Sequence, residues 1–206
     1  MHPAYERILK ALNLEKHLTT RQLAKLLYPE EYQENPRKVY DRLVKNLAYL
    51  KKENLLKSKD YGLGKENLWS IKRHPLNREQ GYLPAPDIHT FKYEHEKACG
   101  DVFVTLALTG RLYSWQAHKR IGKVIPDRIA EMEETTYIEV EMGSQNKIKS
   151  KATLYQQLYR ETREPFQVLF LVQTDKQLQN GLRELEGFTN HYQIKLLSEF
   201  CSDMLS

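Results

Sequence analysis

The order of apolar and polar residues predicts three helices followed by a β-hairpin in the first part of the chain. Apolar residues recur every three or four positions in "AYERILKALN" (4–13), "LTTRQLAKLLY" (18–28) and "RKVYDRLVKNLAYLKKENLL" (37–56), as they do on the buried face of a helix. Two alternating runs then flank "DYGLGKE" (60–66), whose glycines permit a tight reversal. "PEEYQENP" (29–36) is predicted to be the loop before the third helix.

The second and third helices carry further signals. Thr19 and Thr20 are capping residues for the second helix, and Gln22 supports a helix start there. In the third helix, the residues predicted to be buried are Tyr40, Leu43, Leu47 and Leu50. The opposite face carries Lys38, Arg42, Lys45, Tyr49 and Lys52.

A second series of elements begins near residue 90. A helix over 93–110 is followed by a strand at 111–120 and by "PDRIAEMEETTYIEVEMG" (126–143), which reads as two strands with a turn. The remaining elements are a helix at 144–162, a strand at 166–174, a helix at 175–187 and a strand at 191–199. This order, with a continuous apolar run over 166–172, indicates an α/β domain with a mixed central sheet, in a chain that is α+β overall.

The two series are separated by a stretch without periodicity that contains Gly81, Pro84 and Pro86. We therefore predict a first domain over 1–75, a linker over 76–89 and a second domain over 90–206.

Charge distinguishes the two domains. Residues 1–75 hold 16 Lys or Arg and 9 Asp or Glu, a net charge of +7, whereas the remainder holds 16 and 18, a net charge of −2. This division suggests that only the first domain meets a polyanion. The alternative is that its lysines form an ordinary solvated surface.

Composition narrows the class of protein. The chain has 206 residues, of which 40% are hydrophobic and 29% charged. No apolar run approaches the length of a bilayer span, and the first residues lack the apolar core of a signal peptide, so we expect a cytoplasmic protein without membrane contact. Two cysteines are too few for a disulfide framework or a thiolate metal site.

The first domain resembles the winged helix-turn-helix domains of bacterial DNA-binding proteins, with "TTRQLAKLL" as their second helix and the 37–56 segment as their third. The resemblance implies that the third helix enters the major groove of double-stranded DNA while lysines of the hairpin contact phosphates. The predicted DNA-binding residues are Arg37, Lys38, Arg42, Lys45, Asn46, Lys52, Lys57, Lys59 and Lys65.

The second domain carries two acids, Glu139 and Glu141, in an otherwise apolar strand. Residues two apart on a strand point to the same face, so these carboxylates lie side by side, and Asp127 stands on the preceding strand. One interpretation is an acidic site. The other is the exposed face of an edge strand whose Ile138, Val140 and Met142 face the core.

The order of helix, three strands, helix and strand, with "PD" and paired acids, resembles the PD-(D/E)XK nuclease fold. The resemblance implies a site that binds Mg²⁺ or Mn²⁺ through Asp127 and Glu139. Glu141 falls where that family usually carries lysine, so Lys149 or Lys147 from the next helix would have to supply the cation. Glu96, with Glu94 as the alternative, would add an acid from the first helix.

A narrower resemblance covers nearly the whole chain. A winged helix, a His at the head of a helix, "PD", "EVE", a Ser and a "K…Y" helix are similar to the replication-relaxation family, which includes plasmid-mobilisation relaxases of the C type. The corresponding residues are His95, Asp127, Glu139, Glu141, Ser144, Lys149 and Tyr155. Tyr155 and Tyr159 are one helical turn apart, which is typical of packing residues, and a nucleophilic Tyr155 is the alternative.

These resemblances imply a protein of plasmid or mobile-element replication or mobilisation, with metal-dependent DNA nicking by Asp127, Glu139, Glu141 and Lys149. The metal would be held by Glu96, Asp127, Glu139 and Glu141. The alternative is a non-catalytic accessory factor or transcriptional regulator whose second domain serves homodimerisation or docking of other plasmid-processing proteins. The chain contains no nucleotide-binding glycine loop, so we expect no nucleotide cofactor.

Overall fold

The structure is a computed structural model that describes residues 2–62, 64–143, 147–188 and 191–203. Ser144, one of the residues in the replication-relaxation pattern, lies outside the described residues. The chain divides into two units, residues 1–104 and 105–206. This division falls within a helix, and the predicted domain limits stay a prediction.

Helices dominate the first unit. They are α1 (Pro3–Leu14), α2 (Thr20–Leu27), α3 (Pro29–Glu34), α4 (Pro36–Lys52), α5 (Pro75–Glu79) and most of α6 (Tyr93–Leu108). The predicted start of α2 is confirmed, because Thr19 and Gln22 form a reciprocal capping box. The Thr19 side chain accepts a hydrogen bond from the Gln22 N–H, and the Gln22 side chain accepts one from the Thr19 N–H.

The buried stripe of α4 differs at one position from the prediction. Val39, Leu43, Leu47 and Leu50 are buried, whereas Tyr40 is half-buried. Val39 lies one turn before Leu43, so it continues the stripe of the same face, and Tyr40 is rotated away from it.

The predicted loop at 29–36 was wrong, because most of it forms α3. Pro29 takes the first helical position, and Glu30 and Glu31 lie in the first turn, where carboxylates interact favourably with the helix dipole. Asn35 then caps α4 by accepting a hydrogen bond from the Lys38 N–H.

A three-stranded antiparallel sheet completes the first unit. Its strands are β1 (Leu18–Thr19), β2 (Leu56–Lys59) and β3 (Leu68–Ile71), in the order β1–β3–β2. The pairing of β2 with β3 confirms the predicted hairpin.

The predicted linker, residues 76–89, is hydrogen-bonded to the rest of the first unit. The side-chain amide of Asn77 donates to the carbonyl of Leu55 (2.8 Å), and the Ala85 N–H donates to the carbonyl of Ile71 (3.2 Å). The Leu83 N–H donates to the Asn13 side chain (2.8 Å). Residues 76–89 therefore add a layer to the hairpin and to α1.

Gln22 connects α2 to α6 as well as capping α2. Its side-chain nitrogen donates to the Lys97 carbonyl (2.7 Å) and to Oδ1 of Asp101 (2.9 Å). The contact is close, because a Cβ at Gly100 would lie 2.8 Å from the Gln22 side-chain oxygen. Glycine is therefore the residue that this approach accommodates.

The second unit contains a five-stranded sheet, which confirms the predicted α/β class with a mixed sheet. Its strands, in spatial order, are β4 (Ser114–Ala117), β5 (Arg128–Glu131), β6 (Thr135–Glu141), β7 (Gln167–Val172) and β8 (Tyr192–Leu196). The β4–β5 and β5–β6 pairs are antiparallel, and the β6–β7 and β7–β8 pairs are parallel.

The other helices of the second unit are α7 (Ile148–Thr162), α8 (Asp175–Leu185) and α9 (Leu197–Asp203). Tyr155 and Ile148 of α7 pack with Tyr137, Phe166 and Phe170 of the sheet side in one buried cluster. The last predicted strand, 191–199, is too long, because α9 begins at Leu197. No helix within the described residues has the length and hydropathy needed to cross a membrane.

Candidate functional site

The paired acids lie on a central strand of the sheet. Since β6 has β5 on one side and β7 on the other, the interpretation of Glu139 and Glu141 as the exposed face of an edge strand is wrong. Glu139 is 1% exposed and Glu141 is 9% exposed. They stand opposite Phe170 and Val172 of β7, both members of the apolar cluster that α7 covers.

Asp127 joins them from the neighbouring strand. It immediately precedes β5, and its Oδ2 accepts a hydrogen bond from the backbone N–H of Val140 (2.9 Å). Val140 lies between Glu139 and Glu141, so this bond fixes the Asp127 carboxylate beside the acid pair.

The cation of the site is Lys151, from the first turn of α7. Its Nζ donates a hydrogen bond to Oε2 of Glu139 (2.5 Å) and lies 2.7 Å from Oε1 of Glu141. The second contact is an ion pair without hydrogen-bond alignment, so the buried Oε1 of Glu141 accepts no hydrogen bond from the described residues. One ammonium therefore bridges both acids.

Tyr155 completes the cluster one turn farther along α7. Its hydroxyl donates to Oε1 of Glu139 (2.7 Å), and its side chain is fully buried. The ring stacks on Tyr137, with centroids 5.3 Å apart. Tyr155 is thus both a packing residue, as predicted, and a hydrogen-bond donor to the site. Residues Asp127, Glu139, Glu141, Lys151 and Tyr155 are called the acid cluster below.

The environment shifts the protonation of this cluster. Burial raises the pKa of Glu139 from 4.5 to about 7, against the opposing effect of the Lys151 ammonium. Burial alone would lower the pKa of Lys151, but Glu139 and the other carboxylates outweigh it and raise that pKa above its ordinary value. Burial and the Glu139 carboxylate raise the pKa of Tyr155 as well. These shifts favour the charged form of Lys151 and the neutral form of Tyr155, and they bring the pKa of Glu139 near neutrality.

The lysines proposed from sequence lie outside the cluster. Lys147 and Lys149 are exposed, and the backbone N–H of Lys149 donates to Oε2 of Glu184 (3.0 Å). Lys151 was missed, although the helix pattern contained its signal: it lies three residues after the buried Ile148 and four before the buried Tyr155. That spacing places it on the face of α7 that meets the sheet.

The carboxylates of the acid cluster fit a divalent cation only in part. Carboxylate oxygens are the ligands that Mg²⁺ and Mn²⁺ prefer, and Oε1 of Glu141 is buried without a hydrogen-bond donor. However, no three His, Cys, Asp or Glu side chains among the described residues come together as a ready metal site. The bridging position between Glu139 and Glu141 belongs to the Lys151 ammonium.

Two further predicted residues lie on α6 in the first unit. His95 Nδ1 is 3.6 Å from Oε1 of Glu96 and 3.9 Å from the sulfur of Cys99. Glu96 is 4% exposed. The role of Glu96 at a metal site and the place of His95 in the replication-relaxation pattern stay predictions.

The predicted DNA-binding residues of α4 differ in exposure: four are exposed and two are half-buried. Arg37, Lys38, Lys45 and Lys52 are exposed, and the first three line a groove of about 530 Å³ at the start of the helix. Asn46 is half-buried. We call the four exposed cations the basic face of α4. Arg42 differs, because its guanidinium lies over the Tyr28 ring (4.0 Å to the centroid) and pairs with Glu31 (3.0 Å).

The predicted lysines of the hairpin have partners within the first unit. Lys57 pairs with Asp87 (2.6 Å), Lys59 donates to the Ile88 carbonyl (2.5 Å), and Lys65 pairs with Glu94 (3.2 Å). Asp87 and Glu94 therefore partly neutralise the charges of Lys57 and Lys65, and a backbone carbonyl holds the Lys59 ammonium.

Comparison with known proteins agrees with the sequence pattern. A search of curated proteins finds no match. The model of the replication-relaxation family matches residues 9–169, most of the chain, and includes α4 together with the acid cluster. The chain therefore belongs to the replication-relaxation family, and its function is related to replication or mobilisation.

Proposed function

We propose that the protein binds double-stranded DNA through its first unit and nicks DNA at the acid cluster of its second unit. The observation that carries the proposal is the convergence of Asp127, Glu139, Glu141 and Lys151 at one end of β6. Ionisable side chains with shifted pKa values are concentrated at functional sites, because burying charge is unfavourable and proteins retain it where chemistry needs it.

The first unit supports DNA binding by its topology and charge. Four helices, α1 to α4, precede the hairpin, and the sheet order β1–β3–β2 is compatible with a winged helix, in which β2 and β3 form the wing. The basic face of α4 supplies exposed cations on a helix that has its apolar stripe turned inward. A helix of this kind can lie in the major groove and release counterions from the phosphates.

Within the acid cluster, Asp127 and Lys151 are the half-buried members, so a phosphate entering the site would meet them first. The Lys151 ammonium offers its charge to a phosphate oxygen, and Glu139, whose pKa lies near neutrality, takes up or releases a proton at its carboxylate. If Asp127, Glu139 and Glu141 held Mg²⁺ or Mn²⁺, the ion would supply water activation and stabilise the leaving oxygen.

Tyr155 has a supporting role in this proposal. Its hydroxyl is buried, neutral and committed to Glu139. An attacking phenol must be accessible and easily ionised, so we propose that Tyr155 orients Glu139 and that water, rather than tyrosine, attacks the phosphate.

The proposal is tested by incubating the protein with supercoiled plasmid and either Mg²⁺ or Mn²⁺. We expect conversion to the open-circular form by the wild type and none by Glu139→Gln or Asp127→Asn, which keep side-chain size. Lys149→Met, an exposed change on the same helix, is the matched control and should nick normally. Plasmid retardation without nicking in any metal would contradict the catalytic part alone.

A second candidate is a non-catalytic DNA-binding factor, in which the second unit retains the fold for partner docking. The ion pairs of Lys151 with Glu139 and Glu141 favour it, because they offset the charge of the acids without a metal. Melting in Mn²⁺ distinguishes the two: metal binding raises the melting temperature of the wild type more than that of Asp127→Asn. Equal shifts would favour the non-catalytic candidate.

A further inference from the structure

We propose that the loop at 118–124, between β4 and β5, is a second DNA contact that holds the phosphate backbone beside the acid cluster. This inference rests on the proposed DNA-binding function and extends it to the second unit. None of the cations in this loop belongs to the predicted DNA-binding set.

The loop has a defined shape. Ile121 and Val124 form an antiparallel bridge, with the Ile121 N–H donating to the Val124 carbonyl (2.8 Å) and the reverse bond at 2.9 Å. Gly122, at φ +56°, lies in the tight reversal between them. The backbone of the tip is therefore held by its own hydrogen bonds.

The loop is also anchored to α7. Val124 is buried in the apolar cluster of the second unit, and Ile121 packs against the same cluster. A Cβ at Gly122 would lie 3.7 Å from Cδ1 of Leu158. Val124 is buried and Ile121 is half-buried against the core, so the fully exposed side chains of the loop are polar.

Those exposed side chains are cationic. Lys119, Arg120 and Lys123 are exposed, and none forms a hydrogen bond or ion pair with the described part of the chain. The hairpin lysines of the first unit bind Asp87, Glu94 or backbone carbonyls, so the loop differs from them in offering cations that have no partner among the described residues.

The base of the loop is at the acid cluster. The His118 N–H donates to the carbonyl of Asp127 (3.2 Å). The buried Arg128 guanidinium donates to the same carbonyl (2.7 Å) and to Nε2 of His118 (3.3 Å). On α7, Leu158 beneath the tip is seven residues from Lys151, a rise of about 10 Å. The loop cations and the acid cluster are therefore close enough for one DNA strand to contact both, with only a few nucleotides between the two contacts.

The exposed side chains at the tip of the loop, residues 119–124, favour DNA over a protein as the binding partner. A protein partner requires an apolar centre to its interface, and the two apolar residues of the tip are turned inward. Three exposed cations on a short, hydrogen-bonded turn instead match the repeated negative charge of a phosphate backbone. The occupant is DNA, held where the acid cluster can reach it.

The test measures how affinity for a fluorescent duplex changes with salt, over about 50 to 200 mM, where phosphate contacts dominate the slope. The variant is Lys119→Ala/Arg120→Ala/Lys123→Ala. The matched control, Arg160→Ala/Lys176→Ala/Arg183→Ala, removes the same charge from exposed positions elsewhere in the second unit. Lys38→Ala/Lys45→Ala reports on the basic face of α4. Melting temperatures verify that each variant is folded.

We expect the log–log slope of the loop variant to be smaller than that of the wild type by about 2–3, and that of the control to be unchanged. If the α4 variant loses slope while the loop variant matches the control, the loop proposal is overturned and DNA binding by the first unit stands. A wild type that binds no duplex overturns both.

Discussion

The basic face of α4 and the acid cluster use the same kind of group, a charged side chain, in opposite environments. Lys38 and Lys45 are exposed, whereas Glu139 is buried and bonded to Lys151 and Tyr155. Surface charges interact weakly with one another and are screened by salt, so their effect is on a polyelectrolyte partner. Buried charges depend on local geometry and protonation. The two regions should therefore respond to different perturbations.

The largest effect is expected from Lys151→Met. It removes the only cation seen bridging Glu139 and Glu141 in the described residues, and leaving a buried acid without its partner lowers the free energy of unfolding by about 3 kcal/mol. Urea denaturation at neutral pH measures this. Lys149→Met, two residues away and exposed, should change stability by less than about 0.5 kcal/mol. Similar losses in both variants would show that Lys151 is an ordinary surface lysine.

Tyr155→Phe should have the next largest effect. It deletes the hydroxyl that donates to Glu139 but keeps the ring, so we expect a loss of about 1.5–3 kcal/mol from a hydrogen bond to a charged group. Because this bond lowers the pKa of Glu139, its removal should raise that pKa further, as carboxyl NMR titration would show. Tyr159→Phe, on the same helix, is the control. A variant with wild-type stability and an unchanged pKa would contradict the role of the hydroxyl.

The pH dependence of stability distinguishes the buried region from the surface. Glu139 has a folded-state pKa of about 7, above the ordinary 4.5, so between these values the folded protein holds a proton that the unfolded chain has lost. The stability this contributes is present below pH 4.5 and lost as pH rises through about 7, with a slope of at most about 1.4 kcal/mol per pH unit.

Unfolding of the wild type and of Glu139→Gln, measured in a chelator over this range, checks the expectation. The free energy of unfolding of the wild type, minus that of Glu139→Gln, should decrease as pH rises from 4.5 to about 7. Parallel curves would mean that Glu139 titrates alike in the folded and unfolded chain.

The smallest effects on stability are expected at α4. Lys45→Ala should leave the free energy of unfolding unchanged while decreasing the salt slope of duplex binding by about 1. Arg42→Ala should cost about 1 kcal/mol, because the guanidinium stacks on Tyr28 and pairs with Glu31. If the two variants were equally stable, Arg42 would belong with the freely exposed cations.

Local patterns predicted most elements, and the failures have local causes. The capping box at Thr19 and the helix stripe of α4 are short-range features that sequence carries directly. In contrast, α3 has no buried residue, so it lacks the apolar period by which helices are recognised. Pro29 followed by two glutamates was its only signal. The strand β1, of two residues, is too short for any period.

The site was predicted in part, because its strand residues are fixed by alternation whereas its cation comes from another element. Glu139 and Glu141 share a face by geometry alone. Choosing between Lys149 and Lys151 required knowing that α7 begins at Ile148 and which of its faces meets the sheet. The partners of Lys57 and Lys65 could not be foreseen, since they depend on how residues 76–94 return to the hairpin.

The contact that Gln22 makes between α2 and α6 uses a side chain that does not titrate, but a one-atom change in that side chain would make the contact depend on pH. Its amide nitrogen faces two oxygens, the Lys97 carbonyl and the Asp101 carboxylate, and a glutamate of the same shape would turn an oxygen toward both. Gln22→Glu would therefore hold α2 against α6 only while a shared proton sits between the two carboxyl groups. A single exchanged atom would make that helix contact loosen in alkali and tighten in acid.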